Sequence, residues 1–458
     1  MNRKQGNIMK SKIFLCIEGF LLIISSLVFG SENYNDNWPS WRGPLVTGEA
    51  LNGAPPIEWS ETRNVKWKTP IPGKGLSTPV VWGDQIFITT AIELDQKATE
   101  EAIKRQKKKS NILMRTLGMS KRTKYFQQFV VYSINRNTGK INWEQIVREQ
   151  YPHEGVQKNG SWASPSCITD GEHMIASFGS YGMYCFDMKG NLIWEKDLGD
   201  MHIAGTFGEG TSPVIYKHKL IIVWDHEEQS KIYVLDKNTG KEIWQKKRNE
   251  KTTWATPVVV ELDKQIQIIV TGKTSMGYNL TNGEIVWQLD GLGGDIIPCP
   301  VFDGEMAFLM SADAIGSKKV QAINLTTAKG NLENSEALIW IQGKKAPYVP
   351  SPLLKDGKLY YLQGSSSKMT CTDAKTGQIY YDTEKANGMR SAYASPVAAN
   401  GMIYIIDRNG LCSVIKEGAG FEVVAQNQLD DKFDASPAIV GSDLILRGLK
   451  NLYCISRE

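Results

Sequence analysis

Polar and aromatic side chains are concentrated in short segments that the surrounding sequence pattern does not require. Histidine and charged residues stand there beside tryptophan and tyrosine, a mixture that could hold a polar ligand or an extended peptide. These residues are His153, Asn159, Trp162, His202, Glu209, Trp254, Asp295, Tyr348, Arg390, Tyr393 and Asp434. We expect them to ring one mouth of a channel. The alternative is a hydrated mouth whose charges pair with each other.

The sequence offers no motif of a known catalytic type. No Gly-x-Ser-x-Gly nucleophile elbow, phosphate-binding loop or Cys/His pair of catalytic type stands out. His218 and His226 lie on turns of one unit, in a pattern that does not match a metal site. We therefore predict no catalytic residue and no metal site.

A short sequence motif recurs through the rest of the chain. A Ser-Pro or Thr-Pro pair is followed by an apolar run, and the motif returns at intervals of roughly 40–50 residues, a period typical of repeat architectures. The pairs are Thr78-Pro79, Ser164-Pro165, Ser212-Pro213, Thr256-Pro257, Ser351-Pro352, Ser395-Pro396 and Ser436-Pro437, with Cys299-Pro300 as a degenerate copy. Eight openings predict eight units.

One unit indicates what each repeat builds. Within residues 211–247, short apolar runs are separated by polar turns, which predicts four antiparallel strands. The last turn, residues 236–240, begins with Asp and ends with Gly, which adopts positive φ at little cost. Four-stranded sheets at this period are typical of propeller blades. The predicted fold class is therefore all-β, an eight-bladed β-propeller of four-stranded antiparallel blades.

The last unit has room for only three strands. Residues 64–70 precede the first opening pair and resemble a closing strand with its tryptophan. We expect this N-terminal strand to complete the last blade and close the ring, because closure removes two open sheet edges. The expected organisation is a signal peptide at 1–30, a leader at 31–63 and the propeller at 64–458.

An aromatic ring recurs four residues after the turn glycine in five units. A ring at a fixed register indicates one repeated role, which is packing between neighbouring blades. The alternative is that these rings bind sugars or quinones. The predicted docking residues are Trp67, Trp143, Trp194, Trp244, Trp287, Trp340 and Tyr381.

The first unit carries a basic insert, which we place at residues 93–124. It contains nine lysines and arginines between residues 104 and 124, and Leu113, Met114 and Leu117 form an apolar stripe at helical spacing. A basic, partly amphipathic helix could contact a membrane surface or an acidic partner. The alternative is that the insert is a solvated surface segment.

The first 30 residues have the features of an export signal. A basic start precedes an apolar stretch from residue 13 to residue 29, and Val28 and Gly30 fit the small-residue rule for cleavage after Gly30. We expect an exported protein, periplasmic or extracellular, with a permanent N-terminal membrane anchor as the alternative. The net charge of +4 is slight, so we expect no nucleic-acid partner.

Six cysteines follow the expected cleavage site. An even number in an exported protein suggests disulfides. However, four of the six fall at nearly the same point of different units, where separate blades hold them too far apart for a bridge. We therefore predict small buried core residues. The six are Cys167, Cys185, Cys299, Cys371, Cys412 and Cys454.

The repeat resembles that of a known superfamily. Two segments are similar to the tryptophan-docking repeat of the eight-bladed pyrroloquinoline-quinone (PQQ)-like propellers. They are residues 235–244, Leu-Asp-Lys-Asn-Thr-Gly-Lys-Glu-Ile-Trp, and residues 372–381, Thr-Asp-Ala-Lys-Thr-Gly-Gln-Ile-Tyr-Tyr. Residues 37–44, Asn-Trp-Pro-Ser-Trp-Arg-Gly-Pro, resemble the leader of a group of secreted bacterial members. The resemblance covers residues 38–455.

The resemblance implies one of two branches. Quinoprotein dehydrogenases use PQQ, a Ca²⁺ ion and a catalytic Asp, and many have a disulfide between adjacent cysteines, a pair that this sequence does not contain. The other branch is non-catalytic and includes the propeller subunit of the outer-membrane β-barrel assembly machine, which binds partner proteins and no cofactor. The chain resembles that subunit in size and compact blades, and it lacks the subunit's lipid-anchor cysteine.

We therefore predict an exported, non-enzymatic scaffold that binds a protein or polysaccharide partner and no cofactor. The alternative is a PQQ- and Ca²⁺-dependent dehydrogenase that oxidises an alcohol or a sugar. For that alternative, the charged residues of first interest are Glu209, Arg390 and Asp434.

Overall fold

The structure is a computed structural model, which describes residues 34–109, 111–263, 265–313 and 318–457. Eight antiparallel sheets of four strands follow one another along the chain, which we call blades 1 to 8, with strands a to d from the inside outward. The innermost strands of neighbouring blades contact each other, and blade 8 contacts blade 1. The eight-bladed all-β propeller predicted from the repeat is thus confirmed.

The strands of the first four blades have the following bounds. Blade 1 contains Val80–Trp82, Gln85–Lys97, Tyr125–Asn135 and Ile141–Gln150, and blade 2 contains Ile168–Thr169, His173–Ser177, Met183–Asp187 and Leu192–Lys196. Blade 3 contains Val214–Tyr216, Lys219–Trp224, Lys231–Asp236 and Glu242–Lys247, and blade 4 contains Val258–Leu262, Gln265–Val270, Thr274–Asn279 and Ile285–Asp290.

The second half of the ring repeats this arrangement. Blade 5 contains Val301–Phe302, Met306–Ala312, Lys318–Asn324 and Leu338–Gln342, and blade 6 contains Leu353–Lys355, Lys358–Leu362, Met369–Asp373 and Ile379–Glu384. Blade 7 contains Val397–Ala399, Met402–Ile406, Leu411–Lys416 and Val423–Gln428, and blade 8 contains Ala438–Val440, Asp443–Arg447, Asn451–Ile455 and Val65–Pro70.

A few short elements stand outside the blades. They are the helices α1 (Glu100–Lys109) and α2 (Ile112–Thr116), three 3₁₀ turns (Tyr34–Asp36, Gly179–Tyr181 and Ala204–Thr206), the strand pair Ser120–Lys121 with Val156–Gln157, and Gly330–Asn331. Gly330–Asn331 lies parallel to strand d of blade 4 as a fifth strand. Among the described residues, no helix combines the length and the apolar character needed to cross a membrane.

Burial differs between the inner and outer strands for a physical reason. Strands b and c of blade 3 are buried along almost their whole length, because both faces of each sheet pack against neighbouring blades. Strand d of the same blade is largely exposed. The apolar β-branched runs of the sequence therefore become the core of the ring.

The two ends of the chain meet in blade 8. Val65–Pro70 pairs antiparallel with Asn451–Ile455, with Val65 opposite Ile455 and Thr69 opposite Leu452. The N-terminal strand thus supplies the fourth strand, as predicted from the short last unit. The expected signal peptide at 1–30 lies outside the described residues.

The opening pairs link the blades through a ring of side-chain acceptors. In seven successive links, a backbone N–H at one opening donates to the hydroxyl, or in one case the thiol, of the next opening, over 2.9 to 3.1 Å. The blade 2 member is Ser166 rather than the Ser164 that the Ser-Pro pattern indicates. Ser166 accepts from Thr78 and donates to Ser212, whereas the Ser164 hydroxyl donates to Ser161.

The recurring aromatic rings pack on the turn of the following blade. The ring of Trp194 covers Gly240, and its indole N–H donates to the Lys237 carbonyl over 2.8 Å. Four other tryptophans make the same two contacts, the ring on a turn glycine and the indole N–H to a carbonyl of that turn. The ring and glycine pairs are Trp67 with Gly139, Trp143 with Gly190, Trp244 with Gly283, and Trp340 with Gly377. A Cβ on these glycines would lie about 3 Å or less from the ring, so glycine is required by space as well as by its positive φ.

Two of the predicted docking residues pack differently. Trp287 is fully buried, and its indole N–H donates to Gln267 of its own blade. Tyr381 makes an edge contact with Phe421, with ring centroids 5.6 Å apart. Blade 5 has Ala328 where the other turns have glycine, and Gly418 and Gly420 of blade 7 have open space around them, so neither ring covers a turn glycine.

The insert of blade 1 is shorter than the sequence indicates. Strand b continues to Lys97 and strand c begins at Tyr125, so part of the predicted 93–124 insert extends the blade. The two helices and Ser120–Lys121 occupy the remainder. All six described cysteines are free and buried.

Candidate functional site

The leader crosses one end of the channel. Trp38 exchanges two backbone hydrogen bonds with Val81 of blade 1, and Gly48 and Ala50 bond in the same way to Ala398 of blade 7. The fully buried Arg42 guanidinium donates to the Pro352 carbonyl over 2.8 Å and to the Pro396 carbonyl over 3.0 Å. Residues 38–50 of the leader thus tie blades 1, 6 and 7 together.

Above this leader lies a cavity of about 380 Å³, which we call the mouth cavity. Its aromatic walls are Trp41, Phe207, Trp254, Tyr348 and Tyr393. Members of the acceptor ring, among them Ser212 and Thr256, line the cavity as well. The cavity therefore combines aromatic surface with hydroxyl, amide and carboxyl groups, a mixture that can bind and orient a ligand.

Two of the three carboxylates that line the mouth cavity are engaged by neighbouring side chains. Asp434 receives two hydrogen bonds from the Arg408 guanidinium, over 2.5 and 2.9 Å. The same guanidinium lies 4.1 Å from the centroid of the Tyr393 ring. Asp295 accepts from the Tyr348 hydroxyl over 2.7 Å, and burial together with this bond raises the tyrosine pKa. These pairs fix the orientation of both aromatic rings.

The third carboxylate, Glu209, lies in the cavity wall. It accepts hydrogen bonds from the backbone N–H of Ser180 over 2.7 Å and from the Ser180 hydroxyl over 2.6 Å. Burial raises its pKa to about 8, and the negative charges of Glu154 and Asp200 add to the effect. At neutral pH most of this carboxyl group is therefore protonated and can donate as well as accept.

Seven of the eleven residues predicted for the mouth line the cavity. They are Asn159, Glu209, Trp254, Asp295, Tyr348, Tyr393 and Asp434. Trp254 is held by a hydrogen bond of 2.7 Å from its indole N–H to the Gly208 carbonyl. The segments that lead into the opening pairs therefore meet at one end of the ring.

Three other predicted residues form a polar network behind the cavity wall. His153 bonds to the Tyr181 hydroxyl over 3.1 Å and to the Met201 carbonyl over 2.9 Å. His202 bonds to the Glu154 carboxylate, and the Trp162 indole donates to the Glu154 carbonyl over 3.1 Å. The fourth residue, Arg390, is exposed and does not line the cavity.

Arg408, Trp41 and Lys121 lie at the mouth and were not among the residues predicted for it. Arg408 in the Arg-Asn-Gly turn of blade 7 holds the position that we expected for Arg390, and Trp41 comes from the leader. Lys74 and Lys121 lie next to each other, and burial followed by the charge of Lys121 lowers the Lys74 pKa to about 8. The Lys121 ammonium also lies 5.8 Å from the Trp162 ring centroid. The only sequence signal for these residues was their charge or aromatic character outside the repeat.

The cavity residues do not fit a bound calcium ion. Each of the three carboxylates is already held by a neighbouring side chain or N–H group. Among the described His, Cys, Asp and Glu residues, three ligand atoms come within 4.8 Å of one another at Asp170, Glu172 and His173. That cluster is on a blade 2 turn, outside the cavity lining, and Lys237 already pairs with Asp170. As these side chains are arranged, none of the three lining carboxylates is free to coordinate Ca²⁺.

Comparisons with known proteins agree with this architecture. The family described as "Outer membrane protein assembly factor BamB" matches residues 127–292 and 228–446, which together span well over half of the chain. A comparison with curated proteins finds no match.

Solved structures with the same fold include proteins of different kinds. BamB from Moraxella catarrhalis is 12% identical, with a TM-score of 0.51 over 80% of this chain and 98% of that one. Quinohemoprotein alcohol dehydrogenase from Comamonas testosteroni is 10% identical, with a TM-score of 0.58 over 93% of this chain and 82% of that one. At these identities the similarity establishes the fold alone.

Proposed function

Because the chain belongs to the propeller family described as outer membrane protein assembly factor BamB, we propose that it is a non-enzymatic scaffold that binds a partner protein. The binding site in this proposal is the mouth cavity, and the ligand is an extended segment of the partner. The observation that carries the proposal is the cavity itself, with five aromatic side chains around a volume of about 380 Å³.

The polar groups of the mouth cavity support binding rather than bond cleavage. Asp295 and Asp434 are paired internally, so their charges hold neighbouring rings in place and are not available to a substrate. The aromatic rings offer rigid contact area at a low cost in conformational entropy. An extended peptide with apolar side chains would displace cavity water and gain backbone hydrogen bonds at the rim.

We further propose that the protein acts outside the cytoplasm as an exported, periplasmic protein. The family description refers to the outer membrane, and the sequence predicts an export signal within residues 1–30. Cell fractionation with an antibody to the propeller tests this: recovery of the chain with cytoplasmic markers contradicts it.

Photo-crosslinking tests the binding site. A photoreactive phenylalanine analogue at Phe207 reports on the mouth cavity, and the same analogue at Ile285, exposed on strand d of blade 4, is the matched control. We expect a polypeptide adduct from position 207 only, and we expect Trp254→Ala to reduce its yield by about tenfold, as for an aromatic anchor in a binding pocket.

Three results would overturn the proposal. Equal adducts at both positions would remove the case for the mouth cavity, and an oligosaccharide adduct would replace the protein partner with a polymer. Stoichiometric PQQ binding in the presence of Ca²⁺, followed by dye-linked alcohol or aldose oxidation, would show that the propeller is an enzyme.

A further inference from the structure

An apolar patch projects into water from helix α2. Ile112, Leu113 and Leu117 have exposed fractions of 65, 61 and 60%. Leu117 is the C-cap residue of α2 and its N–H donates to the Leu113 carbonyl, so these two residues lie one turn apart on the same side. Three large aliphatic residues exposed side by side are unusual on a protein surface that nothing covers.

The patch is held in place by local contacts and by neighbouring segments. The Asn111 side chain caps α2 by accepting from the Met114 N–H over 3.1 Å. Gly118, at φ 66°, ends the helix and allows the Met119 N–H to donate to the Met114 carbonyl over 2.8 Å. Ser120 then pairs with Gln157 beside the mouth cavity. The exposed leucines are therefore part of a defined structure.

The patch stands in strongly basic surroundings. Residues 104–124 contain nine lysines and arginines and no aspartate or glutamate. Lys104 and Lys108 are exposed one turn apart on α1, and α1 itself is anchored by the buried Gln106, whose amide donates to the Pro152 carbonyl over 2.8 Å. Positive charge and projecting aliphatic side chains thus occur together in one insert.

We propose that this insert docks on an anionic lipid surface. Interfacial segments of this type place apolar side chains among the acyl chains and basic side chains among acidic head groups. The side chains of the patch are highly exposed, which suits insertion into a fluid interface better than it suits a preformed protein pocket. This inference does not depend on the partner proposed for the mouth cavity.

Hydrogen exchange of the full chain tests the proposal. The probes are vesicles of phosphatidylglycerol and phosphatidylcholine in equal amounts, compared with vesicles of phosphatidylcholine alone. We expect slower amide exchange at residues 111–119 with the anionic vesicles only. The effect should weaken at high salt, because about 1 M salt shortens the screening length to about 3 Å. Residues 1–33 begin with basic and apolar residues that can bind vesicles by themselves, and every variant compared below retains them, so differences between variants report on the insert.

Matched variants separate the two parts of the contact. Lys104→Gln with Lys108→Gln should raise the lipid concentration for half-maximal protection by about thirtyfold, since each lysine near an anionic surface contributes about fivefold. Leu113→Gln with Leu117→Gln should abolish the protection. Leu192→Gln with Ile193→Gln, exposed on strand d of blade 2, should leave it unchanged.

Two outcomes would overturn the lipid proposal. Equal exchange at residues 111–119 with and without anionic vesicles would exclude the contact. Protection by soluble polyglutamate that anionic vesicles fail to reproduce would assign the insert to an acidic protein partner instead.

Discussion

The Glu209 carboxyl group makes a pH-dependent contribution to stability that can be measured. Its ordinary pKa is 4.5, and burial raises it to about 8 in the folded protein. Between these values the native state keeps a proton that the unfolded chain has lost. The free energy of unfolding therefore falls as the pH rises through this window and levels off above the folded pKa.

The size of the effect follows from the two pKa values. A rise from 4.5 to about 8 corresponds to at most about 5 kcal/mol of differential stability, at about 1.4 kcal/mol for each pH unit. Glu209 borders the mouth cavity, so water can reach it when it ionises and reduce this cost. We expect a change of about 2–3 kcal/mol.

Glu209→Gln isolates this contribution. The amide retains an acceptor for the Ser180 N–H and gains a donor for the Ser180 hydroxyl, and it does not titrate. Urea unfolding of both proteins, followed by tryptophan fluorescence, should show the variant gaining about 2–3 kcal/mol relative to the parent between about pH 5 and about pH 9. Glu242→Gln, exposed on strand d of blade 3, is the control and should show no such gain. Parallel pH profiles for the Glu209 variant and the parent would refute the protonated carboxyl group.

Three further substitutions test the packing of the ring. Gly240→Ala places a Cβ 2.9 Å from the docked ring of Trp194 and should lower the free energy of unfolding by about 2–3 kcal/mol in thermal or urea unfolding. The control is Gly401→Ala, also at positive φ but with open space around it, which should lower it by about 1 kcal/mol; equal losses would contradict the docking contact. The fully buried Arg248 guanidinium lies 2.8 Å from the Asp225 carboxylate. Asp225→Asn removes this counter-charge and should lower the free energy of unfolding by about 3–5 kcal/mol; a decrease of less than about 1 kcal/mol would show that the pair is dispensable. Ser351→Ala removes one acceptor from the ring of openings and should cost about 1 kcal/mol, so an unchanged unfolding midpoint would argue against that ring.

The fold could be predicted because local chemistry repeats. Apolar runs, turns that end in glycine, and a final unit with one strand too few each point to the same architecture, and redundancy over eight units corrects local errors. The register of blade 2 was not predictable in this way. Ser164 and Ser166 flank the same proline, and only the contacts with Thr78 and Ser212 in the folded ring distinguish them.

The mouth was predictable in position but not in detail. The segments before each opening lead into strand a, so most of their side chains had to meet at one end. Which residue of a loop faces the cavity depends on the path of the backbone, and this is why Arg408 rather than Arg390 bonds to Asp434. The packing of Trp287 within its own blade could have been predicted, since blade 5 lacks the turn glycine that such a ring covers.

The pairing of Val65 with Ile455 has a consequence for how the chain folds. These partners lie 390 positions apart in the sequence, because 455 − 65 = 390. Blades 1 to 7 can form from neighbouring segments, but blade 8 must wait until the final strand has been synthesised and delivered. Such a distant contact carries a large loop-closure entropy and places ring closure late in assembly. Until then, the partly built molecule exposes unpaired strand edges that can recruit other chains. A nascent propeller of this design therefore has its greatest need of protection by chaperones just before the strand Asn451–Ile455 is delivered.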